Sequence, residues 1–168
     1  ERLILSSIQP GQNTLSLPID IDDLQSQINF LTLTEAGENP ATDALALNLV
    51  SLSPGTLEVI SIYPGPGETT RLTTSPPLPD TFNNSGHTRV LTFNATRPSR
   101  DIRLSTWPIP SPVAINLSSG NFSVPTFVVA ETTVFEIEPV DMDSAPEHYL
   151  FDLSEAEGET VVMLATGD

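Results

Sequence analysis

Two aspartate pairs carry the most suggestive spacing in this chain. Asp20 and Asp22 lie in Pro18-Ile19-Asp20-Ile21-Asp22-Asp23, and Asp141 and Asp143 lie in Pro139-Val140-Asp141-Met142-Asp143. On an extended backbone, residues i and i+2 project to one face about 7 Å apart, so a hard cation such as calcium can bridge them with help from backbone carbonyls. The glycine of a twelve-residue helix–loop–helix calcium loop is missing. The expected ligands are therefore Asp20, Asp22, Asp141 and Asp143 on strand ends, and calcium is the only cofactor suggested.

Nucleophilic catalysis needs a base beside the serine or threonine, and the chain has only His87 and His148. His87 sits in the turn-like Asn84-Ser85-Gly86-His87, and no Gly-x-Ser-x-Gly elbow occurs. Gly65-Pro66-Gly67 has no following lysine and no helical pattern behind it, so it does not form a phosphate loop. The expectation is a non-enzyme with no catalytic residues.

Asn-x-Ser/Thr glycosylation acceptors occur at Asn83, Asn94, Asn116 and Asn121, clustered near turn signals. Trp107, beside the proline-rich Pro108-Ile109-Pro110, is the aromatic best placed to stack against a ligand such as a sugar.

The elements that must position these residues follow from hydrophobic period, which is two almost throughout. Alternating runs recur at Leu3–Ile8, Leu15–Leu17, Ile28–Leu33, Leu45–Leu49, Leu57–Ile62, Val90–Phe93, Ile102–Leu104, Val113–Ile115, Val124–Val129, Val134–Ile137, Tyr149–Leu153 and Val161–Leu164. Gly-, Pro- and Asn-rich turns separate them. Ala41–Leu52 has acceptable helix propensity, but its Ala-Leu-Ala-Leu-Asn-Leu alternation fits a strand at least as well. Thr69–Gly86 lacks a strand pattern and reads as a long crossover, a hinge or a partner-binding loop. The fold class expected is all-β, a β-sandwich or jelly-roll-like arrangement.

The aspartate spacing belongs to a longer echo. Phe30-Leu31-Thr32-Leu33-Thr34-Glu35-Ala36-Gly37-Glu38 is matched by Leu150-Phe151-Asp152-Leu153-Ser154-Glu155-Ala156-Glu157-Gly158-Glu159. Read as a repeat, it gives one sandwich module over residues 1–119. Residues 120–168 then begin a second module, or supply strands that complete the first sandwich or a neighbouring subunit's. The stretch Glu147–Val162 resembles the strand–turn–strand of bacterial pre-peptidase C-terminal-type β-sandwich modules, which implies a sandwich strand pair there.

Composition narrows the function. The chain has 22 acidic residues against 6 arginines, with no lysine or cysteine, for a formal charge of −16 over 168 residues. Such a surface repels nucleic-acid phosphates and anionic lipid. No apolar run is long enough for a membrane helix. No basic-then-apolar leader opens the sequence, so it reads as mature, excised or cytoplasmic. Acidic surface and clustered acceptors together favour an extracellular or cell-surface setting. The leading expectation is a structural or adhesive module of a surface assembly, a filament or envelope layer. In it, Leu3–Ile8 or the 120–168 strands pair between subunits, with itself or other surface proteins as partner. The alternative is a glycan- or calcium-binding ectodomain fragment of a receptor, adhesin or channel-associated protein.

Overall fold

The computed structural model describes residues 28–167 apart from 36, 40, 52–54, 65–68, 80, 97–99 and 141–144. The expectations on Leu3–Ile8, Leu15–Leu17, Asp20, Asp22, Asp141 and Asp143 lie outside the described residues. What is described is all-β and sandwich-like. Among the described residues no helix is long and apolar enough to cross a membrane.

Strands β1 (Ile28–Thr34) and β2 (Ala44–Ser51) form an antiparallel hairpin. The Asn39 side chain accepts the Ala41 N–H at 3.0 Å in its turn. Ala41–Leu52 is thus not helical where described: the alternation outweighs the propensity. The run Leu57–Ile62, expected as one strand, is split into β3 (Thr56–Leu57) and β4 (Ile60–Pro64). The break has a cause. Val59 donates to Ser75 Oγ at 2.9 Å, and its carbonyl accepts the Ser75 N–H at 2.8 Å, so its backbone is committed to one residue rather than to a ladder.

Thr69–Gly86 is not a bare loop. It holds β5 (Thr70–Thr74), antiparallel to β4, and β6 (Leu78–Pro79), paired with β3. Period alone missed β5 because Thr-Arg-Leu-Thr-Thr has a single apolar residue; β-branched threonines supply its strand preference. Two residues of β6 suffice to bury Leu78 at 3% exposure.

The rest of the chain builds two facing sheets. One has the order β10-β7-β13, from β7 (His87–Asn94), β10 (Thr126–Val129) and β13 (Thr160–Ala165). The other has the order β12-β11-β8-β9, from β8 (Ile102–Trp107), β9 (Pro112–Leu117), β11 (Thr132–Pro139) and β12 (Glu147–Asp152). Of the strands after residue 119, β10 and β13 pair with β7, β11 pairs with β8, and β12 pairs with β11. Their shared core is Val90, Ile102, Leu104, Val113, Val128, Phe135, Leu153 and Met163 with their neighbours.

The echoed turns serve different topologies. Residues 35–43 close the β1–β2 hairpin, whereas Leu153–Glu159 carries the chain from β12 in one sheet to β13 in the other, where β13 runs parallel to β7. Similar local sequence has been used for two connections.

The outer face of β7 is covered too. Phe93 meets Tyr63 at 5.2 Å and Phe122 at 4.7 Å between ring centroids, and Gly120 closes over Tyr63 at a φ of +80°. A Cβ at Gly120 would lie 2.8 Å from Tyr63 Cζ. Gly120→Ala is therefore expected to destabilise the fold by about 1–3 kcal/mol from the left-handed backbone alone, and further by displacing Tyr63. Denaturant unfolding measures this; an unchanged midpoint would contradict the placement of Tyr63.

Candidate functional site

The two facing sheets are unequal, three strands against four among the described residues. Residues directly opposed in an antiparallel pair share a face. Phe135 is fully buried and faces Tyr149, with Phe151 one step along on the same side. Tyr149 and Phe151 thus project from β12 toward the opposing sheet, yet they remain 44% and 41% exposed. No described strand lies across from them to cover them.

Below this overhang runs a cavity of about 160 Å³ between the sheets. Its walls include Thr92, Leu104, Phe135, Phe151 and every residue from Val161 to Ala165. Consecutive strand residues point to opposite faces. A space that touches five in succession follows the strand's edge as well as its inner face. That edge belongs to β13, the last strand of its sheet among the described residues. Val161–Ala165 is apolar and uncharged, so the edge lacks the lysines, prolines or bulges that commonly protect such strands. Its outward-facing Val162 and Leu164 are 42% and 58% exposed.

The lining has one polar residue. Thr92, on β7, is 1% exposed, and its Oγ1 has no hydrogen-bond partner among the described residues. Leaving a hydroxyl buried and unpaired costs about 1–3 kcal/mol.

The turn that brings β13 to this position is fastened to β7. Thr88 donates to the Ala156 carbonyl at 2.8 Å, Gly158 N–H to the His87 carbonyl at 3.0 Å and Arg89 N–H to the Glu159 carbonyl at 3.0 Å. The Glu157 carboxylate accepts the Gly86 N–H at 2.7 Å. At the start of the turn, Asp152 accepts from Ser154 Oγ at 2.7 Å and Ser154 N–H at 3.1 Å; these bonds hold its carboxyl below the usual range. Across the cleft mouth, the Tyr149 hydroxyl donates to Glu147, which pushes the phenol's pKa up, chiefly through that bond.

The residues nominated from sequence are scattered. Trp107 is half-exposed on the outer face of the four-stranded sheet, edge-on to His148 at 5.3 Å, and His148 Nε2 lies 3.0 Å from Glu136. His87 Nδ1 faces the Ser85 carbonyl at 3.0 Å. The described bonds of both rings go to a carboxylate and a carbonyl, not to a hydroxyl nucleophile. Among the described residues no group of three or more His, Asp or Glu is placed to hold a metal ion. A second hollow of about 430 Å³ is lined by residues 82–85 with Glu157 and Gly158, and includes Asn83.

The four glycosylation acceptors divide sharply. Asn83, Asn116 and Asn121 are exposed. Asn94 is completely buried, donating to the carbonyls of Leu117 at 2.6 Å and Arg100 at 2.7 Å and accepting from the Thr96 N–H and hydroxyl. Both of its amide hydrogens are spent, so a glycan there is incompatible with this fold.

Thr92 and Phe151 were not singled out by sequence reasoning. The charge-free Val161–Leu164 run is the one signal that marks this edge. No family model matches the chain, and no curated protein or solved structure is found similar to it.

Two outcomes follow from this geometry. Peptide mapping of protein secreted by a glycosylating host is expected to find glycan on some of Asn83, Asn116 and Asn121 and none on folded Asn94; substantial occupancy of Asn94 would contradict its burial. By NMR titration, Asp152 is expected to ionise below an ordinary aspartate, and Ser154→Ala to bring it back up. A folded-state pKa below the unfolded one adds stability present above the unfolded value and lost as pH falls through the folded one. Ser154→Ala should therefore flatten acid-side stability loss rather than shift an alkaline limb.

Proposed function

We propose that this chain is a non-catalytic structural module of an extracellular surface assembly, linked to its neighbours by strand addition along β13. The carrying observation is the cavity that follows the β13 edge, unpaired among the described residues, beneath the overhanging Tyr149 and Phe151. An added strand supplies main-chain hydrogen bonds along the edge, and its alternate side chains enter the cleft, a recognised mode of protein association. It would also give each sheet four strands.

The rest of the surface agrees with life outside the cell. A lysine-free chain at −16 stays hydrated and repels phosphate and anionic lipid. Three exposed acceptor asparagines stand at turns or strand ends, where glycan is sterically allowed.

Electron microscopy and native mass spectrometry of the full chain test this reading. Wild type is expected to form oligomers or filaments. Val162→Glu/Leu164→Glu places charge on two already exposed positions of the edge; it should keep the melting temperature within a few degrees and weaken association at least tenfold. A wild type that stays monomeric at every concentration would defeat the proposal.

A further inference from the structure

We infer that the strand accepted along β13 is the Leu3–Ile8 segment of a second copy of this chain; the inference rests on the assembly reading above and names its occupant. Four observations converge on this segment.

The first is its two-sided pattern. In extended form Leu3, Leu5 and Ser7 share one face and Ile4, Ser6 and Ile8 the other. The acceptor is two-sided as well: β13 turns Val161, Met163 and Ala165 inward and leaves Val162 and Leu164 exposed outward. With Leu3 and Leu5 facing the cleft, Ser6 and one of Ile4 and Ile8 fall beside Val162 and Leu164, so one isoleucine makes a cross-strand apolar pair on the outer face of the sheet and the other lies beyond it.

The second is volume and polarity. A cavity near 150 Å³ accommodates a benzene-sized group, and the space here is about 160 Å³. It has room for one leucine side chain, and Leu5, central in the segment, is the one that enters it, with Leu3 and Ser7 along its ends. The only polar residue among its lining side chains is Thr92, so an uncharged inward face suits the cleft.

The third is charge. The turn at the head of β13 presents Glu155, Glu157 and Glu159, all exposed. Leu3–Ile8 carries no charge, and the adjoining Glu1-Arg2 side chains cancel. A strand with no net charge can approach this rim on a chain of −16. The fourth is length. Leu3–Ile8 equals the six residues of β13, whereas the other alternating run outside the described residues, Leu15-Ser16-Leu17, has half that length and is followed by Pro18, which cannot donate to a ladder.

The test is a complementation experiment on full-length chains by native mass spectrometry, with circular dichroism to confirm folding. Leu5→Glu removes the donor and keeps the acceptor; Val162→Glu/Leu164→Glu does the reverse. Each alone is expected to be monomeric, and an equimolar mixture to give 1:1 heterodimers that do not extend. Leu5→Glu that assembles like wild type overturns the occupant and leaves the strand-addition reading standing. Monomeric variants whose mixture yields no heterodimer also overturn it, since a segment docked within its own chain behaves so. Monomeric wild type overturns both.

Discussion

Strand β7 is the constraint on which the other layers depend. It is paired on both edges, with β10 antiparallel and β13 parallel, and every residue from Thr88 to Asn94 is buried. A strand buried on both faces needs a cover on both. The inner cover is the four-stranded sheet. The outer cover is assembled from earlier parts of the chain: Tyr63 on Phe93, and Phe82 against Phe127. Between them lies Arg89, 3% exposed, which donates to Thr160 at 2.8 Å and to the Pro79 carbonyl at 2.6 Å and sits over the Phe82 ring at 4.9 Å. A guanidinium removed from water is tolerable only with such partners. Its two bonds reach residues far apart in sequence, so satisfying Arg89 holds β6, β7 and β13 in one arrangement.

Asn94 does the same work at the far end of β7. Its amide bonds the carbonyls that precede β8 and end β9, while its backbone exchanges bonds with Gly120 and Asn121. Removing that side chain would take a hydrogen bond from the buried Leu117 carbonyl, at a cost of about 1–3 kcal/mol, and leave the Arg100 carbonyl with the Thr96 hydroxyl alone. The acceptor motif at Asn94 is then a by-product of structure: Thr96 is there because its hydroxyl and N–H saturate the asparagine's carbonyl oxygen. The same three-residue pattern means an accessible acceptor at Asn83 and a structural clasp at Asn94.

That contrast marks the limit of what the sequence discloses. Alternation located β1, β2 and the seven sandwich strands; burial of one or both faces imprints the period in strands such as β7 and β8, while β12 keeps the alternation with every residue exposed. It failed at β5, where threonine propensity replaces apolar periodicity, and at Val59, where a single serine diverts the backbone. The candidate site was less legible. Phe151 belongs to an evident strand, but its exposure follows from how many strands lie opposite it, a property of topology. Thr92 looks like any alternating threonine; that it lacks a partner depends on what β13 leaves empty beside it. The echo between Phe30–Glu38 and Leu150–Glu159 is of a related kind, since strand-then-turn is specified locally whereas the sheet receiving the next strand is decided by distant partners such as Arg89.

Charge sets the terms on which a completed sheet would form. Copies at −16 repel one another, and with a Debye length of about 8 Å at physiological ionic strength that repulsion is felt only when surfaces come close. The edge itself is neutral, so the short-range gain from main-chain bonds and apolar burial along β13 is not opposed locally, except at the Glu155–Glu159 rim. Repulsion between acidic surfaces at close approach, with a neutral seam, disfavours indiscriminate clustering while leaving one geometry attractive. Salt or divalent cations would then strengthen association by screening the bodies rather than by changing the seam. An edge such as that of β13, unprotected among the described residues and a hazard on an uncharged protein, would be usable on the proposed reading because the acidic surface keeps unwanted neighbours away.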